Sequence, residues 1–407
     1  MLLAAASGLL LEIVLAAIGG LLALFGVYLV VLAVAALVGR RGEPAVPEVP
    51  PWRITVLVPA HDEETLIGRC VSSLLAQTYP GELFEVVVVA DNCTDGTAVA
   101  AAESGARVLV RDAPDSRGKG RALRWALEHI LASPQPPDAV AVVDADSIAD
   151  PRFLVALATP LGSGAQAIQG ESLLYEDGTR ESALRAAAFL LVNRVRPAGR
   201  AVLGLPCGLG GNGMLFVRSL LEDHPWSAFT SAEDVEYALQ LRRAGVRPVF
   251  ARGAILRSPP PPNPQAAMQQ QLRWEGGKYH LLRTQLPTLV AAAVSTRSLS
   301  LLDTAFELAI PPLGYLAGAS AATAAVSVGL AAGGIVSVWT VWPAVIACAA
   351  VPTFVFLGLW AADAPSSAYG SLLRAPVFVL RKVARSYRLF GFSADTWVRT
   401  ERDQENR

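Results

Sequence analysis

Five small or β-branched apolar residues, Ala139-Val140-Ala141-Val142-Val143, run straight into Asp144-Ala145-Asp146-Ser147. A continuous apolar run of that kind reads as a strand buried on both faces of a parallel sheet, because helices must cover each face. Ligand sites in such sheets lie just beyond the carboxyl ends of the strands, which is where Asp144 and Asp146 fall. Two unpaired carboxylates there repel and raise each other's pKa. A hard divalent cation, Mg²⁺ or Mn²⁺, removes the conflict, usually together with a nucleoside diphosphate. The same residues also fit a strand end followed by a helix cap at Ser147 or Asp150, with no metal. Both readings stand on these residues alone.

The preceding chain repeats the pattern. Ile54-Thr55-Val56-Leu57-Val58 reads as a buried strand ending at Pro59, and a helical period from Glu64 to Gln77 is stopped by Tyr79-Pro80-Gly81. Phe84 to Ala90 reads as a strand ending at Asp91; Thr94-Asp95-Gly96 turns into a helix reaching Ser104. Arg107 to Val110 is a third strand, and a helix from Gly120 to Leu131 leads back to Ala139. Strands alternating with helices predict βαβ units and an α/β fold with an open, mostly parallel sheet. Further on, a helix is expected from Arg180 to Val195, then the glycine-rich run Gly204 to Gly213. Those glycines suit close backbone approach to a ligand and tight turns equally. Ala232-Glu233-Asp234 opens a helix that ends at Ala244-Gly245. A polyproline loop from Pro259 to Pro264 precedes a helix carrying Gln270-Gln271-Leu272-Arg273-Trp274.

Three apolar stretches bracket this middle part and account for an overall composition of 53% hydrophobic and 17% charged residues in 407. From Leu9 to Val38 only Glu12 is charged, which is ample to span a bilayer. Ala305 to Leu330 and Val336 to Ala362 are the other two, separated by Gly333-Gly334. The first lacks a basic leader region and is too long for a signal peptide, so it reads as a retained span. Arg40 and Arg41 follow it, and Arg374, Arg381, Lys382, Arg385 and Arg388 follow the last. Lys and Arg mark the cytoplasmic side, so the N-terminus is expected outside and the central domain inside, as in a bacterial-type inner membrane. A net charge of −1 excludes a nucleic-acid binder, which is normally basic. Cys70, Cys93, Cys207 and Cys348 form no Cys-x-x-Cys pair and are expected to be reduced packing residues. The expected organisation is an apolar helix over 1–41, a Pro-rich linker over 42–52 and a cytoplasmic domain over 53–286. An interfacial helix over 287–302 follows, its apolar pattern running from Leu281 to Ser300, then two spans within 303–362. Residues 363–407 complete the chain with an in-plane amphipathic helix from Leu372 to Phe392 and a tail.

Taken in order, these pieces resemble the membrane-bound glycosyltransferases of family 2, the group of cellulose, hyaluronan and chitin-oligosaccharide synthases and their non-processive relatives. Pro59-Ala60-His61-Asp62-Glu63-Glu64 is similar to the opening nucleotide motif, and Asp91-Asn92-Cys93-Thr94-Asp95-Gly96-Thr97 to the second. Gly118-Lys119-Gly120 resembles the lysine loop, Asp144-Ala145-Asp146 the metal motif, and Glu233-Asp234 the catalytic-base motif. Gln270-Gln271-Leu272-Arg273-Trp274 matches the Gln-x-x-Arg-Trp signature, and Trp397 to Arg402 is familiar from the same group. Each motif alone is weak, whereas six in order between membrane spans are specific.

The resemblance implies a Rossmann-like sheet of the glycosyltransferase-A type and an inverting transfer from a UDP-sugar, with Mg²⁺ or Mn²⁺. It implies that groups around Pro59, Ala60 and Glu63 meet uracil and ribose, with Asp91 and Asp95 in the same nucleotide set. Lys119 would approach the nucleotide as a point charge, and Asp144 and Asp146 would hold the metal. Arg273 would present its planar fork to the diphosphate, beside Gln270, while Trp274 would offer an aromatic face to the acceptor sugar. Asp234, next to Glu233, would be the general base. Three features depart from the pattern: Asp62 where Asn is usual, Ala232 where Thr is frequent, and Glu275 where a basic residue is common. With three spans, a lipid or lipid-linked acceptor and a short addition are expected, and processive polymer synthesis is the alternative. A non-catalytic nucleotide-sugar binding module would lack one of the metal pair, the base or the arginine, and all are present. A dinucleotide oxidoreductase is excluded, because no Gly-x-Gly-x-x-Gly follows the first strand.

Overall fold

The computed structural model describes residues 2–40, 51–176, 178–261 and 263–384. The linker residues 42–50, Arg41, Arg385, Arg388, the end of the Leu372 to Phe392 pattern and the tail from Trp397 lie outside the described residues. The chain divides into two compact units, one drawn from 51–176 and 204–309, the other from 2–40, 178–203 and 310–384.

The first unit is built on a sheet of eight described strands: β1 Ile54–Ala60, β2 Phe84–Asp91, β3 Arg107–Arg111, β4 Ala139–Val142, β5 Ile148–Ala149, β6 Ala167–Leu174, β7 Met214–Val217 and β8 Val249–Ser258. Their order is β3-β2-β1-β4-β7-β6-β8-β5. The block β3-β2-β1-β4 is parallel throughout, as the uninterrupted apolar runs require. Beyond it the sheet is mixed, with β7 antiparallel to both β4 and β6. β1 and β4 turn alternate side chains into opposite cores. Ile54, Val56, Val58, Ala139 and Ala141 meet Ile67, Cys70, Val71 and Leu74 of the helix Glu64–Leu75. Leu57, Val140 and Val142 meet Ala122, Leu123, Ala126 and Ile130 of the helix Lys119–Leu131. Each fully buried aliphatic side chain contributes about 1.5–3 kcal/mol. In register, Ala60 stands beside Ala90 and Leu57 beside Val142, so the carboxyl ends of β1, β2 and β4 open at one edge.

Pro264–Ser295 is one continuous helix of 32 residues that carries Pro287 inside it. The apolar pattern expected to form an interfacial helix over 287–302 is therefore its last turns plus the start of the helix Leu299–Ala309. One side packs inward, since Leu281 and Leu289 lie with Ala232, Leu239, Ala305 and Leu308, while Val290, Val294 and Leu299 on the other side are exposed. Arg242 pairs with Asp303 at 3.1 Å in the same junction.

In the second unit, Gly8–Gly39, Leu313–Ala332 and Val338–Ala361 are each long and apolar enough to cross a membrane. The second begins at Leu313 rather than within the expected 303–305, because Pro311-Pro312 ends the preceding helix at Ala309. Glu12 accepts a bond from the Ser337 N–H, and Arg40 pairs with Asp363, so the first and last of these helices run parallel. The helices Arg180–Leu190 and Arg196–Val202 belong to this unit as well. They fall within 53–286 in the sequence yet pack with the apolar helices. The physical reason is close packing, because Leu191 and Val195 lie against Gly358 of the last apolar helix.

Candidate active site

The edge above β1 and β2 is formed by two tight turns held in the left-handed region by Asp62 (φ 52°) and Asn92 (φ 51°). Side chains with a short polar arm tolerate that region best. Asp62 Oδ1 accepts from the Thr94 backbone N–H at 2.6 Å, and Asn92 Oδ1 accepts from that of Ala113 at 2.8 Å. The departure at position 62 is thereby explained. Asn and Asp both reach the required φ, and the bond needs only Oδ1. His61 Nδ1 lies 2.7 Å from the Asp91 carbonyl oxygen, which places a proton on that nitrogen. Asp91 is buried, and its Oδ1 accepts from Arg111 Nη1 at 2.5 Å and from Asn92 Nδ2 at 2.9 Å. Arg111 Nη2 donates to the Ser116 carbonyl at 2.8 Å and so holds the loop that leads to Lys119.

That loop reaches its helix through Gly118 at φ +119°, where an L side chain is strained. Gly120 is set by space, since a Cβ there would lie 2.1 Å from the Ala228 carbonyl oxygen. The close approach brings Lys119 beside the Glu233 turn. Lys119 Nζ donates to Asp144 Oδ1 at 2.6 Å and to the Gly211 carbonyl at 2.7 Å, and it lies 3.7 Å from Glu233 Oε1. Burial alone would lower the lysine pKa, but Asp144 and Glu233 outweigh it and hold the ammonium charged, above its ordinary value.

Asp144 is fixed through its backbone N–H, which donates to Asn212 Oδ1 at 3.0 Å. Asn212 is buried, and its Nδ2 donates to Ser147 Oγ at 2.9 Å and Ser172 Oγ at 3.2 Å. Gln169 spans the same turn, donating to the Asn212 carbonyl at 2.8 Å and accepting from the Gly210 N–H at 2.8 Å. The glycine-rich run is thus a turn that frames the end of β4. Asp146 is half-buried and takes a bond from Ser147 Oγ at 3.4 Å. Asp144 and Asp146 offer an all-oxygen donor set on a rigid frame, which fits Mg²⁺ or Mn²⁺. Their charge is felt nearby. Cys70 is pushed far above the usual thiol range by burial and then by Asp146 and Asp144, so it stays a neutral thiol.

Glu233 and Asp234 occupy the first turn of the helix Glu233–Arg243, where the helix dipole favours negative charge. Glu233 is raised to about 7, by burial first, against the pull of Lys119 and with Asp234 adding to the rise. Burial also raises Asp234, against the pull of Lys119 and of the Val235 N–H that its Oδ1 accepts at 2.8 Å. Its Oδ2 stands 3.1 Å from where a Cβ on Gly211 would be. Asp144, Lys119, Gly211, Glu233 and Asp234 are therefore one cluster.

The signature helix meets this cluster through Gly277, whose absent Cβ would sit 2.8 Å from Ser231 Oγ and 2.9 Å from the Ala232 Cβ. Arg273 lies one turn earlier on the same face (i, i+4). Arg243 donates to Gln285 and Thr288, both at 2.7 Å, and fixes the helix from the other side. Gln270 and Arg273 are half-buried, and Trp274 is 43% exposed. Glu275 accepts from Gln271 Nε2 at 3.0 Å along its own helix.

A shallow cleft of about 90 Å³ opens beside the cluster, lined among others by Pro59, Ala60, Asp91 and Lys119. His61 and Asn92, members of the two nucleotide motifs, line it too, and so does Arg117, which was not singled out in the sequence. Asp95 and Glu63, expected in the nucleotide set, do not line the cleft. Asp95 caps the helix Thr97–Glu103 by accepting from the Thr97 N–H at 3.0 Å. Glu63 precedes the helix Glu64–Leu75, and its N–H donates to Thr97 Oγ1 at 2.8 Å.

A mixed α/β sheet with acids at the ends of its parallel strands, a lysine loop and an acid pair opening a helix is the frame of a sugar-nucleotide transferase. The chain belongs to the family described as glycosyltransferase like family 2, matched over residues 50–277. It is 28% identical over 201 residues to a beta-monoglucosyldiacylglycerol synthase of Synechocystis, covering 47% of this chain and 41% of that one. It is 24% identical over 253 residues to the probable glycosyltransferase YdaM of Bacillus subtilis, covering 58% and 59%. The chain thus spans about half the length of these curated relatives. Among solved structures, a mannosyltransferase of Pyrobaculum calidifontis, bound to GDP-Man and Mn²⁺, superposes with TM-score 0.46 at 20% identity, covering 83% of this chain and 99% of that one.

Proposed function

We propose that this glycosyltransferase moves one sugar from a UDP-sugar to a lipid or lipid-linked acceptor at the cytoplasmic membrane face, inverting the anomeric centre. The observation that carries the reading is the single cluster of Asp144, Lys119, Glu233 and Asp234 beside an open cleft at the strand ends. In this reading Pro59, Ala60 and Asp91 receive the nucleoside, with Arg111 fixing the carboxylate of Asp91. Lys119 stands where a diphosphate would leave the cleft. Asp144 and Asp146 would hold Mg²⁺ or Mn²⁺, which supplies neutralising charge for the leaving diphosphate. Arg273 adds a planar donor fork for the phosphate oxygens, with Gln270 one turn before it. Asp234 takes the proton of the acceptor hydroxyl as that oxygen attacks the anomeric carbon. Glu233, paired to Lys119, keeps the ammonium aimed into the cluster. One base and no enzyme nucleophile mean single displacement, so an α-linked donor gives a β-linked product. Trp274 is exposed enough to stack on a sugar ring.

The acceptor class is supported by the apolar helices and by the diacylglycerol-based name of the Synechocystis relative. Sidedness follows from Arg40, Arg374, Arg381 and Lys382, which by the positive-inside tendency belong in the cytoplasm. The test is a nucleotide-release assay on detergent-purified protein with a panel of UDP-sugars and native lipid extract. Divalent-dependent UDP release is expected, lost in Asp234→Asn; unchanged turnover in that variant removes the proposed base. A lipid product carrying one sugar supports the acceptor class, and a ladder of products overturns single addition.

A further inference from the structure

The segment from Arg180 to Leu203 lies inside the family-2 match, yet it packs in the unit of the apolar helices. Its helix is continuous, with a π-helical turn over Leu191–Val195 between two α-helical parts, and such turns mark functional or strained sites. Beyond the exposed Glu181 and its partner Arg185, the segment is inside out. From 186 to 203 every exposed residue is apolar: Ala188, Val192, Ala201, Val202 and Leu203. Every polar residue in the same range is covered: Asn193, Arg194 and Arg196 are half-buried, and Arg200 is 1% exposed. Arg200 Nη1 donates to the hydroxyl of Tyr28 on the first apolar helix, and Arg194 Nη1 lies 3.5 Å from the Ala362 carbonyl after the last. Water-soluble helices show the opposite arrangement, whereas helices in lipid turn their cations toward neighbouring helices.

The seat is also deep. A Cβ on Gly199 would lie 2.1 Å from the Leu32 carbonyl oxygen, so the segment rests directly on the backbone of the first apolar helix. Leu32 stands seven residues before Gly39, roughly 10 Å at 1.5 Å per residue. Gly358, against which Leu191 and Val195 pack, is three residues from the end of the helix Val341–Ala361.

We infer that Arg180–Leu203 is a fourth membrane element, an interfacial helix sunk about 10 Å into the leaflet at the Arg40 and Asp363 end. Its outward face meets lipid acyl chains. The occupant follows from continuity, because Val192, Val202 and Leu203 extend the apolar outer surface of helices already long enough to cross the bilayer. The inference stands independently of the sugar-transfer reading.

The test reads depth directly. Single cysteines at Val192 and Val202, with Cys70, Cys93, Cys207 and Cys348 changed to Ala, are labelled with an environment-sensitive fluorophore. The protein is reconstituted in phosphatidylcholine vesicles carrying acyl-chain nitroxide lipid. Val34→Cys, on the outer side of the first apolar helix, and Val110→Cys, on edge strand β3, serve as references. Nitroxide quenching at both positions matching Val34, and at least twofold above Val110, is the expected result. Quenching by aqueous iodide at the Val110 level overturns the inference, and so does protection from both quenchers, which would mean protein covers the face. The unmodified protein gives a second reading with a phospholipid carrying a diazirine in its acyl chain. Adducts within 186–203 are expected, and adducts confined to the three long apolar helices overturn the inference.

Discussion

Gly120→Ala separates two opposed effects whose sizes come from the structure. Inside a helix Ala is favoured over Gly by about 0.8–1 kcal/mol, and at Gly120, in the first turn of Lys119–Leu131, propensity adds at most that much stability. The new Cβ, however, would stand 2.1 Å from the Ala228 carbonyl oxygen and 3.4 Å from the Glu233 Cβ. Real contacts do not fall below 3.0 Å, so a backbone carbonyl has to retreat by about 1 Å. Overpacking of that kind costs about 1–3 kcal/mol, leaving a net loss of roughly 0–2 kcal/mol and a fall in Tm of several degrees at most. Activity should suffer far more. Ala228 leads into the turn that carries Glu233 and Asp234, and a 1 Å misplacement of reacting groups costs about 100-fold. The expected outcome is a drop in kcat/KM of that order with a small change in Tm by thermal denaturation. Gly162→Ala is the control, since nothing lies within 4 Å of its Cβ position. Wild-type kcat/KM in Gly120→Ala would refute the packing argument that joins Lys119 to the acid pair.

Three further outcomes are expected. Arg111→Met leaves the buried Asp91 carboxylate without its 2.5 Å partner, a loss of about 3–5 kcal/mol by chemical denaturation; adding Asp91→Asn should restore part of it, and strict additivity in the double-mutant cycle would show no coupling. Asp62→Asn should keep stability within about 0.5 kcal/mol and full activity, whereas Asp62→Ala, losing the bond to Thr94 and the tolerance of positive φ, should lose about 1–2 kcal/mol; equal melting curves would contradict this. Glu233, raised to about 7 from its ordinary 4.5, keeps its proton longer when folded, so its contribution to stability falls as pH climbs from 4.5 toward 7 and levels off above. The acid pair titrates together, so kcat/KM should rise with pH along a limb displaced above the ordinary aspartate range, and Glu233→Gln should move that limb to lower pH; an unmoved limb would detach Glu233 from the base.

How much of this was readable beforehand depends on where each residue's partners come from. β1, β2 and β4 were legible because both of their faces are buried, so the sequence shows one unbroken apolar run. β6 was hidden for the opposite reason. It carries Gln169 and Glu171, which are 7% and 2% exposed, and their burial is tolerated only because Asn212, Gly210 and Gly253 satisfy them. Hydropathy cannot register a polar residue whose partners sit more than forty residues away on another turn. The same limit governs the site. Asp144, Asp146, Glu233, Asp234 and Lys119 stand at strand ends and helix starts, positions that local pattern marks. Arg111 and Asn212 act by fixing Asp91 and Asp144, and their importance exists only once the strands are side by side.

The segment from Arg180 to Leu203 carries the argument furthest. It lies within 53–286, expected as a cytoplasmic domain, and Arg194, Arg196 and Arg200 fit that expectation, since cations are normally evidence of solvent. That inference holds only if the cations are on the outside. Here Arg200 meets Tyr28 and the apolar residues face out, so the composition is that of a soluble helix and the arrangement is that of a lipid-facing one. Composition counts charges and cannot say which way they point. The direction is set by whether a neighbouring element offers them hydrogen-bond partners, and here Arg200 finds its partner 172 residues earlier, on the first apolar helix, and Arg194 finds one 168 residues later, after the last.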